Sequence, residues 1–314
     1  MPAQALATID PQILKKARER ERRVAWQQTR VAWLFIAPAV IMVGVFLLLP
    51  VVFNIILSFT KWQKFTGLDQ FAGFANYARL FRVPYFSEAL TNTAFWVVGA
   101  IVLPLAVGLA LAMLLRNIPF QETFKSLYFL PKVLAPTAVG AIWYYVYAPH
   151  GVLNSMISFA TGTEFDFGWT YSADTVTPAI IGTFVWQTVG ITMVLLLLGL
   201  AAIPRDPVEA ARVDGASSWQ IFAHIIWPLL LPTVLVVTIL NVAAGFTTFD
   251  LLWVMAGDYP GKRTLSLAVY MYYESFSNGA WAYGSAVAVV LGAMVITVSA
   301  VLAYVQSRVE KSIR

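Results

Sequence analysis

A chain of 314 residues with 59% hydrophobic and only 12% charged side chains cannot clothe itself as a soluble globule, for which about 45–50% and about 25% are usual. Lipid must solvate much of it, so the expected fold is an all-α integral membrane protein. Lys and Arg number 21 against 16 Asp and Glu, cysteine is absent, and histidine occurs only at His150 and His224, which excludes disulfides, thiol chemistry and a His-based metal site.

Crossing about 30 Å of hydrocarbon takes roughly 20 helical residues. The chain opens with a tail, 1–32, that carries Lys15, Lys16, Arg18, Arg20, Arg22, Arg23 and Arg30. Apolar runs follow at 33–58, 90–115, 127–147, 177–200, 233–255 and 282–306, about six spans, before a short tail at 307–314. The first run is too long and begins too late for a cleaved signal peptide, so it reads as an anchor. Basic residues concentrate in the N-terminal tail and in alternate connections: Arg116 and Lys125, Arg205 and Arg212, then Arg308, Lys311 and Arg314. Lys61, Lys64, Arg79, Arg82, Lys262 and Arg263 fall on the other side, and Lys132 lies where it can snorkel to the cytoplasmic interface. This asymmetry predicts both termini in the cytoplasm. It also accounts for the basic tail without nucleic acid. Trp33, Trp62, Tyr144, Tyr145 and Tyr147 sit near span ends, as interfacial aromatics do.

Ionisable groups inside the spans are few. Asp250, near the outer end of the fifth span, reads either as a functional carboxylate or as an interfacial one. A secondary carrier would show inverted repeats and several buried ionisable residues. An intramembrane enzyme would show a nucleophile elbow, a His-Glu-x-x-His motif or paired acids. The sequence contains neither set.

The cytoplasmic segment 203–232 is longer than two adjacent helices need. Asp206 or Pro207 can start a helix over 208–213, Gly215 can end it sharply, and Ser217 or Ser218 can cap a second helix to residue 226. In that second helix Trp219, Phe222 and Ile226 recur at helical spacing, Pro228 is expected to stop it, and Pro232 to introduce the next span. The result is a helix–turn–helix on the cytoplasmic face that presents Glu209, Arg212 and Asp214.

Glu209-Ala210-Ala211, with Asp214-Gly215-Ala216 following and Pro228 beyond, resembles the EAA motif of binding-protein-dependent ABC importer permeases. The usual Ile-x-Leu-Pro ending stands here as Ile225-Ile226-Trp227-Pro228. Phe129-Leu130-Pro131 with Pro136, Phe249-Asp250-Leu251 through Gly257 and Pro260, Thr264-Leu265 with Tyr270, and Tyr283-Gly284-Ser285-Ala286 are similar to the carbohydrate, MalF-like branch. A departure is Gly257-Asp258-Tyr259-Pro260 in place of Gly-Gly-x-Pro.

The resemblance implies a MetI-like, type I importer permease, multi-pass in the cytoplasmic membrane of a prokaryote, that moves a sugar by alternating access. It implies a second permease subunit in a heterodimer, two cytoplasmic ABC ATPase subunits and an extracytoplasmic sugar-binding protein. This chain has no Gly-x-x-x-x-Gly-Lys-Ser/Thr loop, so ATP and Mg belong to the ATPases and no cofactor is expected here. Glu209, Ala210, Ala211, Asp214, Gly215 and Ala216 are the implied coupling residues. Matching positions for a sugar path include Gln187, Thr188, Ile191, Asn241, Gly245 and Thr248, beside Trp186, Phe246 and Asp250. The same side chains also suit ordinary helix–helix contacts. A glycerol phosphate or polyol permease of the same superfamily is the alternative, although an anionic substrate would want mid-membrane Arg or Lys.

Overall fold

The computed structural model describes residue 26 and residues 32–63, 70–116, 118–172, 174–256 and 264–313. The cations expected in the N-terminal tail, Lys64, the 257–260 turn, Lys262, Arg263 and Arg314 lie outside them. The elements run α1 Ala32–Ser58, α2 Ala75–Leu80, α3 Pro84–Leu115, α4 Gln121–Val133, α5 Pro136–Val146, α6 Val152–Thr161, α7 Val176–Ala201, α8 Asp206–Val213, α9 Ser218–Thr247, α10 Asp250–Ala256, α11 Leu267–Tyr272 and α12 Trp281–Ile313. Among the described residues no strand forms beyond an isolated bridge between Thr60 and Phe71. Among the described residues five helices, α1, α3, α7, α9 and α12, are long and apolar enough to cross a membrane.

The chain divides into two compact units, residues 1–56 and 57–314. The first contains nearly all of α1, whose one irregularity is a π turn at Gly44–Leu48, two residues ahead of Pro50. A proline ring clashes with the carbonyl four residues back, and a widened turn moves that carbonyl aside.

In the second unit α7 is the central helix. It is apolar on all sides, as a helix surrounded by others must be, and packs against α3, α4 and α9. Gly190 lets α4 approach closely: a Cβ there would meet the backbone of Tyr128 and Phe129. Two apolar clusters stack along the bundle. One takes Ile180 and Phe184 of α7 with Val242 and Phe246 of α9. The other, toward α8, takes Met193, Leu196 and Leu200 of α7 with Leu230, Val234 and Val237 of α9.

Two expectations about the spans are corrected. The run 127–147 is not one helix, because Pro136 holds Ala135 and Leu134 in extended backbone and separates α4 from α5. Pro228 and Pro232, read as the end of one helix and the start of another, lie inside the continuous helix α9. A π turn at Phe222–Ile226, two residues ahead of Pro228, accommodates the first of them as in α1. The fifth run instead breaks at its far end, between Thr247 and Asp250.

At the end of the bundle opposite α8, the segment after α1 is tied to α12. Asn76 Nδ2 donates to the Ser58 and Thr60 carbonyls at 2.8 Å, the Ala282 amide donates to the Trp62 carbonyl at 3.1 Å, and the Trp62 and Trp281 rings meet edge to face. Nearby, the Arg79 guanidinium lies 4.4 Å over the Tyr283 ring. Burial pushes the Glu274 carboxyl above its ordinary range, while the Asn278 amide bond and the Arg79 charge pull it back. An acid whose folded pKa is raised contributes stability that is fully present below its unfolded pKa and lost as pH rises through the folded value. Glu274→Gln is therefore expected to flatten the fall in thermal midpoint as pH rises above the ordinary carboxylate range.

Candidate functional site

The α8 turn is built by local rules. Pro207 sits in the first turn of α8, Asp206 and Glu209 complement the positive end of its dipole, and Arg212 the negative end. The helix closes in a Schellman motif: the Ala216 amide donates to the Ala211 carbonyl at 2.9 Å, and the Gly215 amide to the Arg212 carbonyl at 3.1 Å. Gly215 supplies the left-handed φ of 80° that this motif requires. Ser217 then caps α9 in a capping box. Its hydroxyl accepts from the Gln220 amide at 3.3 Å, and Gln220 Oε1 accepts from the Ser217 amide at 2.8 Å. Two caps back to back leave the turn little freedom.

Its faces differ. Val208, Ala211 and Ala216 pack inward beside Ile203, Ile221 and Phe222. Glu209, Ala210, Arg212, Asp214 and Gly215 are exposed. Val213 is 88% exposed and Trp219 72%, so an apolar patch flanks these charges. Neither was singled out from sequence as surface. Trp219 recurs with Phe222 and Ile226 at helical spacing, yet of the three only Ile226 is buried.

Mid-bundle, polar side chains fall between the two apolar clusters. Gln187 and Thr188 of α7 and Asn241 of α9 are buried there. Gln187 Nε2 donates at 3.2 Å to the Leu134 carbonyl, an acceptor left free by the break before Pro136. Gln187→Leu is expected to cost about 1–3 kcal/mol through that orphaned acceptor, seen as a lower thermal midpoint. Thr188 Oγ1 donates to the Phe184 carbonyl at 2.7 Å, and Thr248 Oγ1 to the Ala244 carbonyl at 2.6 Å. Gly245 is buried against Ala100, and its carbonyl accepts from Trp96 Nε1 at 2.8 Å. Phe246 is buried, Ile191 and Trp186 are partly exposed, and Asp250 is exposed in the first turn of α10.

The structure thus brings Gln187, Thr188 and Asn241 to one level and sets Thr248 and Asp250 apart at the end of α9. Thr192, one turn beyond Thr188, was missed. Its hydroxyl and Asn241 Nδ2 are buried with no hydrogen-bond partner among the described residues. Its i, i+4 spacing from Thr188 was the available signal.

Among the described residues no group of His, Cys, Asp and Glu is placed to hold a metal ion. Residues 17–314 match the family model described as binding-protein-dependent transport system inner membrane component. A sulfoquinovosyl glycerol transport system permease protein of Agrobacterium fabrum is 35% identical over 86% of this chain and 88% of its own length. A probable starch degradation products transport system permease protein of Thermoanaerobacterium thermosulfurigenes is 30% identical over 88% and 94%. A solved structure of a bacterial ABC transporter involved in alginate import shares the fold, with TM-score 0.77, 18% identity, and coverage of 90% of this chain and 98% of that one. The chain belongs to the binding-protein-dependent family of ABC transporter permeases, multi-pass membrane subunits that are not themselves enzymes.

Proposed function

We propose that this chain is the permease subunit of an ATP-driven importer that carries a sugar across the cytoplasmic membrane by alternating access. The observation that carries the reading is the doubly capped α8 turn, which presents Glu209, Asp214 and Gly215 with the exposed apolar Val213 and Trp219. A rigid surface of this kind suits a cleft in a partner that pushes and pulls. The partner is a cytoplasmic ATPase subunit, one of two, which binds ATP and Mg. A second permease subunit completes the path, and an extracytoplasmic binding protein delivers the sugar. On this reading both termini are cytoplasmic, and α4 with α5 together make the third of six crossings.

Sugar is the favoured cargo for two reasons. The two relatives described above are named for sugar-containing compounds. The polar level between the clusters offers amides and hydroxyls beside Trp186, without a cation that would select an anion.

The test is co-purification of the tagged chain from detergent, wild type against Glu209→Lys. A P-loop ATPase and a second permease should accompany the wild type, and the ATPase should be lost from the variant. Wild type that emerges alone, and moves solute in liposomes without ATP, would remove the coupling assignment in favour of a secondary carrier.

A further inference from the structure

A cavity of about 500 Å³ opens beside the α8 turn, where the ends of α3, α4 and α7 converge. Its wall carries four cations from four parts of the chain: Arg116 after α3, Lys125 of α4, Arg205 before α8 and Arg212 within it. Two carboxylates are at hand. Glu122 is taken by Lys125 at 2.8 Å, and Glu209 lies on the wall. Arg116 spends one guanidinium nitrogen on the Leu200 carbonyl at 3.4 Å. The guanidinium groups of Arg205 and Arg212 make no hydrogen bond or ion pair among the described residues. Apart from Gln121, the rest of the lining is apolar, including Val194, Leu197 and Leu198 on the last turns of α7, of which Leu198 is 64% exposed.

We infer that this cavity binds the phosphate-bearing headgroup of an anionic phospholipid from the inner leaflet. Guanidinium forks match phosphate oxygens in pairs, and convergent cations without partners are otherwise a repulsive arrangement. A basic pocket between helices at the cytoplasmic membrane face is where such headgroups lodge. The lipid, rather than a free phosphate, is assigned by the apolar wall. A small anion gains nothing from Leu198, whereas an acyl chain can run from the headgroup along the exposed side of α7. The inference rests on the proposed reading in one respect, that the α8 end faces the cytoplasm. Glu209 and Arg212 belong to both the cavity wall and the α8 turn, so the bound headgroup also touches the element proposed to meet the ATPase.

The experiment uses the full chain in neutral detergent, without ATPase or binding protein, so its outcome is independent of the co-purification test. Dioleoylphosphatidylglycerol, dioleoylphosphatidylcholine and inorganic phosphate are added in turn, and bound lipid is counted by native mass spectrometry. Wild type is expected to retain one phosphatidylglycerol at least about tenfold more strongly than phosphatidylcholine, with the preference falling as salt rises to about 0.5 M. The Lys125→Gln, Arg205→Gln double variant should lose the preference while eluting and melting as wild type does. Should that variant not fold, the salt dependence of the wild type decides: a preference indifferent to salt overturns the site. Equal retention of both lipids, or an unchanged preference in the folded double variant, overturns it as well. Inorganic phosphate that displaces the lipid at equal concentration overturns the lipid assignment.

Discussion

Aspartate at position 215 is expected to abolish ATP-driven uptake while leaving the chain folded and in the membrane. Gly215 has φ of 80° and open space where a Cβ would stand, so the substitution meets no clash. Its backbone cost is that of an L residue in the left-handed region, roughly 1–2 kcal/mol, and Asp is among the residues that tolerate it best. That is too little to unfold the bundle and enough to distort the Schellman turn. The new carboxylate also stands beside Asp214, on the surface proposed to enter the ATPase cleft. Gly215→Ala separates the two effects. It carries the backbone strain without the charge, and uptake should fall several-fold and not vanish. Uptake assays in vesicles, normalised to the amount of inserted chain, distinguish these outcomes. Normal uptake by Gly215→Asp would sever the α8 turn from energy coupling.

Gly190→Ala should do the reverse, damaging the fold and leaving the α8 turn alone. A Cβ at 190 would land on the Tyr128 carbonyl and 2.8 Å from the Phe129 nitrogen, so the obstacle is backbone and no side chain can swing away. Overpacking of this kind costs typically 1–3 kcal/mol and occasionally more, and a helix-to-helix backbone contact belongs at the upper end. About 3 kcal/mol in a chain of this size corresponds to a thermal midpoint roughly 5 °C lower. Gly292→Ala in α12 is the control, since nothing lies within 4 Å of its would-be Cβ. If the two variants melt together, the close approach of α4 to α7 is not what seats α4.

How much of this could be read in advance differs from element to element. Apolar runs locate α3, α7 and α12 because hydropathy reports the medium around a segment. It does not report whether the segment is unbroken. The run at 127–147 is apolar but for Lys132 and a few small polar groups, yet Pro136 splits it. Pro228, which looks like a boundary, is carried through by a π turn that leaves no trace in composition. The Gly215 and Ser217 caps were legible because they depend on their own neighbours in sequence. The Gln187 bond to Leu134 and the exposure of Trp219 were not, since both are decided by which other helix arrives. The basic cavity was hidden for the same reason, its four cations being separate along the chain until the fold collects them.

The continuity of α9 has a mechanical consequence. Thirty residues of helix make a strut about 45 Å long. One end is fixed by the Ser217 cap and the other stops at Thr248, level with the exposed carboxylate of Asp250. On the proposed function, a push given at Ser218 would travel along an unbroken helix instead of ending at a break at Pro228. A tilt of about 5° about one end displaces the other by about 4 Å, enough to open or close a passage with no change in any backbone hydrogen bond.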